Sequence, residues 1–169
     1  MRQIRLVPVD AAMAEALKRG VDAVEAAYGA RLNEEFLQHA QDIVAQTLAL
    51  EQSRPRDPVF GGYLVVDVPA RIFVGTCGFR DGPSADGSVE LAYGTFSAFE
   101  GRGYATAAAR ALIGVASARP EVRRIIAHTL ATPGPSPRIL EKIGMRHLGE
   151  VIDPEDGPVW EFEIAPVRG

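Results

Sequence analysis
A chain of 169 residues, 47% hydrophobic and 24% charged, is long enough to bury a substantial core, and its length fits one folding unit spanning residues 1–169. A formal charge of −4 argues against general affinity for nucleic acid or an anionic membrane, and no apolar run approaches the roughly 20 residues of a membrane span. One cysteine, Cys77, no Cys/His cluster and no basic-then-apolar leader lead to the expectation of a cytoplasmic protein with no metal, no nucleic-acid partner and no membrane partner.

The alternating run Gln3–Val9 predicts a short strand, and Asp10 stands where a helix N-cap belongs. Met13, Leu17, Val21, Val24 and Tyr28 recur at helical spacing and predict one helix that Gly29 stops. Asn33 followed by Glu34 and Glu35 marks a second helix start, because acids in a first turn are favoured by the dipole. Its predicted buried stripe is Phe36, Ala40, Ile43 and Thr47, flanked by Leu37, Val44 and Leu48, and the proline-containing stretch 54–58 ends it. Strands are predicted at 63–66 and 72–77, joined as a hairpin through Pro69-Ala70-Arg71, and a third at 89–96 after the loop 81–88. An alanine-rich helix over 101–118 is followed by a β-branched strand at 122–129. A short helix at 136–143 ends on Gly144, and two last strands lie at 146–152 and 159–164. The order describes a mixed α/β domain.

Chemistry concentrates where the strand 89–96 enters the turn Glu100-Gly101-Arg102-Gly103-Tyr104-Ala105-Thr106 and the turn opens a helix. The first N–H groups of a helix lack internal partners and sit at the positive end of its dipole, and glycines let backbone approach a bulky anion, so the arrangement suits phosphate. A nucleotide P-loop would need a Gly-Lys-Ser/Thr run, which is absent. A dinucleotide fingerprint would need glycine at Thr106 and an acid ending the next strand, where Thr129 and Leu130 stand.

The turn 100–105 resembles the signature loop of the GNAT family of N-acetyltransferases, Gln/Arg-x-x-Gly-x-Gly/Ala. The strand Glu90-Leu91-Ala92-Tyr93, the segment Ala127-His128-Thr129-Leu130 and the stretch Ser136–Met145 are similar to that family's fourth strand, fifth strand and following helix. Asp156-Gly157-Pro158-Val159-Trp160 resembles the last hairpin of the branch containing ribosomal-protein N-terminal acetyltransferases, the RimJ/RimL-like proteins. The resemblance is strongest over 88–165. It implies a central mixed, twisted sheet of about six to seven strands with about four helices, two strands splayed to admit coenzyme A. It further implies acetyl-CoA as cosubstrate, an amine acceptor (a protein N-terminus, a lysine or a small molecule) and direct acetyl transfer. A homodimer is compatible with it.

By the same resemblance Gly94, Thr95 and Phe96 face the pantetheine arm, and Gly101, Arg102, Gly103, Tyr104, Ala105 and Thr106 meet the pyrophosphate. Glu90 occupies the general-base position, and Ser136 protonates the departing sulfur or contacts coenzyme A. Each has a plainer reading: a surface acid for Glu90, a solvated side chain for Arg102, packing against the helix for Tyr104, an N-cap before proline for Ser136. His128 reads as a packed strand histidine, and Tyr28, Phe36 and Trp160 as core before acceptor-pocket wall. Two departures stand out. Glu100 replaces the usual Gln or Arg, and Leu140 takes the position that often holds the family's catalytic tyrosine. The second motivates a rival reading as a non-catalytic acetyl-CoA sensor.

Overall fold
The computed structural model describes residues 1–169. In chain order it holds β1 (Ile4–Pro8), α1 (Ala11–Arg19), α2 (Val21–Tyr28), α3 (Leu37–Ser53), β2 (Gly62–Asp67), β3 (Ile72–Phe79) and β4 (Ser88–Thr95). Then follow α4 (Tyr104–Ser117), β5 (Arg124–Leu130), α5 (Pro135–Lys142), β6 (Arg146–Asp153) and β7 (Gly157–Ile164). Seven strands form one sheet in the order β1-β2-β3-β4-β5-β7-β6. Every neighbouring pair is antiparallel except β4 and β5, which run parallel.

The period-2 alternation of strand side chains divides the core into two layers. On β2, Leu64 and Val66 face a cluster built by Met13, Leu17, Val24, Phe36 and Val44 of the first three helices and the turn before α3. Tyr63 and Val65 face the opposite layer, where Leu112 of α4, Leu140 of α5, Ile125 and Phe162 are packed. Burying each such large side chain contributes about 1.5–3 kcal/mol. A sheet faced with helices on both sides is the result. No helix is long and apolar enough to cross a membrane.

Two sequence expectations need correction. The helix predicted from Met13 to Tyr28 is two helices, because Gly20 between them takes φ +108, a backbone shape that side chains resist. This brings the α-helix count to five, one more than expected. The buried stripe of α3 centres on Phe36, Ala40 and Val44, while Ile43 and Thr47 are only half-buried and line a groove beside β2 and β3. Asp10 does cap α1, its carboxylate accepting from the Met13 N–H at 2.8 Å. Asn33 caps a short 3₁₀ turn, Glu34–Phe36, that leads into α3.

Candidate active site
Strands β4 and β5 pair at only three positions: Ser88 with Arg124, Val89 with Ile125, Glu90 with Ile126. Beyond Glu90 each strand keeps its other neighbour, β3 as far as Thr95 and β7 as far as Leu130. Between them the sheet is open. The Glu90 carbonyl accepts from the Arg80 N–H, and the Phe96 N–H donates to the Val74 carbonyl, so even-numbered residues turn their peptide groups toward β3. By the same alternation Leu91, Tyr93 and Thr95 turn theirs into the gap. Thr95 therefore turns its peptide group into the gap, and so does Tyr93, which the sequence reading did not name among the site residues. Gly94 lines the cleft but directs its carbonyl at β3, where a Cβ on Gly75 would meet it at 2.3 Å. Phe96 lies outside the cleft: its ring stacks on Phe36 at 4.9 Å, and its N–H is already engaged.

At the foot of the gap begins α4. Gly101 and Gly103 take φ +71 and +89, which aims the turn's backbone outward. No N–H of residues 101–106 donates to a backbone carbonyl, and no side chain caps the helix. A helix start with free donors and no protein acceptor has the geometry that suits an anion. All of these residues but Arg102 line a cleft of about 700 Å³ that also reaches Thr95 and Ser136. Tyr104, the first helical residue, is buried, and its hydroxyl donates to the equally buried Asp67 carboxylate of β2. Burial pushes the Asp67 pKa up, but bonds from Tyr104 and the Ala70 N–H, with the Arg2 charge, prevail and hold it below the ordinary value. The cradle is thus bolted to the sheet through a side chain.

Arg102 is exposed, its guanidinium 5.9 Å from the Phe99 ring. With Arg2, Arg110 and Lys142 it rims a second hollow beside the same helix start, and Arg138 borders the main cleft. None of these five cations is ion-paired. Glu100 lies among them, exposed, a single carboxylate in a predominantly positive rim.

On the other side of the gap a cleft of about 530 Å³ holds Glu90, His128, Arg80 and Asp156. His128 is not packed inertly. Its Nδ1 lies 2.8 Å from Glu90 Oε1 and its Nε2 lies 2.9 Å from Glu161 Oε2. Burial works to lower the imidazole pKa, yet hydrogen bonds and charge from both carboxylates outweigh it, and the pKa is raised. Arg80 reaches Glu90 at 3.4 Å and ties it to Asp153 at 3.6 Å and Glu155 at 3.8 Å in the β6–β7 turn. Arg124 orients Glu161 from behind at 3.1 Å. The sequence reading named Glu90 and missed this array. The pairing of His128 with Glu161 across β5 and β7 is its basis.

The acetyltransferase (GNAT) domain profile matches residues 3–146 of this chain. The chain belongs to the GNAT family. No curated protein matches it. Among solved structures, a GNAT-family acetyltransferase from Bacillus anthracis is similar over 98% of this chain and 97% of its own, at 19% identity and a TM-score of 0.63. A Salmonella typhimurium acetyltransferase that modifies the N-terminal serine of a 50S ribosomal subunit protein superposes with a TM-score of 0.66 at 16% identity, over 96% and 94% of the two chains. The microcin self-immunity acetyltransferase MccE, in complex with acetyl-CoA and AMP, does so with 0.68 at 14%, over 96% and 92%. At these identities the likeness is one of fold.

Seen as a GNAT domain, the chain departs at α5. Leu140, at the position expected for a tyrosine, is fully buried and offers no proton. Ser136 is not the N-cap: Gly134 holds that place, Pro135 follows, and no side chain caps the helix. The Ser136 hydroxyl is exposed and borders both clefts. Tyr28 meets Phe73 edge-on and Trp160 packs beside His147 at 5.0 Å, so these residues and Phe36 belong to packing. Cys77 is buried, and burial pushes its thiol up to about 12, which makes it an inert strand residue.

Proposed function
We propose that residues 1–169 act as one acetyltransferase domain that passes an acetyl group directly from acetyl-CoA to a primary amine. The observation that carries this reading is the parting of β4 from β5 after three pairs, beside a helix start whose N–H groups have no partner. The residues present fit the cosubstrate. Gap-facing peptide groups of Tyr93 and Thr95 offer strand-like bonds to its amides, residues 101–106 offer donors to its pyrophosphate, and Arg102, Arg138 and Lys142 offer charge to its phosphates. When bound, acetyl-CoA supplies an activated thioester.

The protein's tasks follow. An ammonium is no nucleophile, since its pKa lies near 10, so a base must take its proton. Glu90, with His128 2.8 Å away, holds that place, and Glu161 fixes the imidazole from its other nitrogen. The Thr95 N–H faces the gap, where it stabilises charge developing on the thioester oxygen. Holding both reactants together supplies much of the rate. The carboxylates Glu90, Asp156 and Glu155 at the acceptor entrances favour a cationic amine such as a peptide N-terminus, a lysine or a polyamine. A sensor without catalysis would have no use for a base array next to the gap, and its presence supports turnover.

Isothermal titration with coenzyme A, and a thiol-release assay with acetyl-CoA against peptides, aminoglycosides and polyamines, test the proposal. Binding with turnover of one amine class is the expected result. Absence of coenzyme A binding overturns the reading, and tight binding with no turnover on any amine transfers it to the sensor.

A further inference from the structure
Three side-chain polar atoms are buried without a hydrogen-bond partner: Arg56 Nε, Ser88 Oγ and Tyr93 Oη. A buried hydroxyl left unpaired costs free energy and calls for a reason. Tyr93 is the one that stands at the gap itself. The residue lines the cofactor cleft, the Glu90–His128 cleft and, from the other face of the sheet, the groove beside α3, so it stands where those spaces adjoin. Its ring is anchored against the core layer that contains Leu112 and Leu140, which fixes the direction of the hydroxyl. Ser136 is its polar neighbour, close enough to work against the burial that raises the phenol pKa, yet the two form no hydrogen bond of ordinary geometry.

We infer that the Tyr93 hydroxyl is the hydrogen-bond donor for the departing sulfur of coenzyme A, in place of the tyrosine that Leu140 replaces on α5. This rests on the acetyl-CoA reading above. In the step, the carbon–sulfur bond breaks, the sulfur keeps the electron pair, and the resulting thiolate is held by the Tyr93 O–H. Full proton transfer is not required. A thiol has a pKa of about 8.5 against about 10 for a phenol, and burial, though opposed by Ser136, raises that of Tyr93 further. The phenol therefore keeps its proton and remains a donor throughout, while the thiolate takes its proton from water. Ser136, an exposed residue bordering both clefts, stands beside the space from which that water would come.

The test compares wild type with Tyr93→Phe by calorimetric binding of coenzyme A and of desulfo-coenzyme A across pH. Wild type should bind coenzyme A more tightly as pH rises through the thiol pKa. Tyr93→Phe should lose about five- to tenfold of affinity for the thiolate, as expected for one charge-assisted bond, and none for desulfo-coenzyme A. Turnover should fall by about ten- to a hundredfold with KM for acetyl-CoA unmoved. Melting temperature should not fall, because the hydroxyl has no partner to lose; a purely structural tyrosine would lower it. Equal losses for both ligands, or no loss for either, overturn the inference and leave the acetyltransferase reading standing. A wild type that binds neither ligand overturns both.

Discussion

Replacing Tyr104 with phenylalanine removes one oxygen and tests how the turn that opens α4 is held. Asp67 is 4% exposed and Tyr104 is 6% exposed, so the variant leaves one carboxylate oxygen buried without its donor. A buried acceptor stripped of its partner costs about 1–3 kcal/mol. For a domain of this length each kcal/mol is worth about 2–4 °C, which gives a fall of roughly 2–12 °C in melting temperature. The sign of the pH dependence is fixed as well. Because the folded Asp67 pKa is lowered, its contribution is present above the unfolded value near 3.8 and is lost as pH falls through the folded value. The gap between wild type and variant should therefore be widest near neutrality and shrink in acid. Coenzyme A affinity should drop too, since Tyr104 opens α4. Scanning calorimetry at about pH 7 and about pH 3.5, with coenzyme A titration, makes the comparison. An unchanged melting temperature, or a difference that persists undiminished in acid, refutes the bolt.

Glu161→Gln removes one of the two carboxylates that raise His128, so the imidazole pKa should fall and the acid limb of kcat/KM should move to lower pH. An unmoved limb separates His128 from the proton path. Gly103→Val forces a branched side chain into φ +89 and should weaken acetyl-CoA binding about fivefold or more, at about 1 kcal/mol of backbone strain, as read by titration. Ser136→Ala should leave the melting temperature within about 2 °C, because the hydroxyl caps nothing, while thiol release slows.

The succession of strands and helices along the chain and the glycine turn before α4 were legible because each is written in local pattern: alternation, helical spacing, glycines before an alanine-rich helix. The break at Gly20 was hidden, since the apolar spacing from Met13 to Tyr28 survives it and the glycine alone carries the interruption. Ser136 misled because Ser-Pro is a common helix start, and here Pro135 starts the helix one residue earlier. For His128 a clue existed. Ile125, Ala127 and Thr129 share the buried parity of β5, which puts His128 on the other face with Ile126, the residue that pairs with Glu90. Glu161 gave no such clue, for its contact arises from β7 inserting between β5 and β6. Local periodicity says nothing about which distant strand becomes a neighbour. The Tyr93 hydroxyl was invisible for a related reason: an unpaired atom is a property of packing.

The three-residue contact between β4 and β5 makes the sheet two panels, β1–β4 and β5–β7, joined at one short seam. Past that seam an open wedge lies between the panels, bordered by Tyr93 and Thr95. A cofactor arm laid along Tyr93 and Thr95, as proposed above, would supply the missing rungs and brace the panels against each other beside Glu90 and His128. Mechanical rigidity and chemical readiness would then arrive in a single binding event.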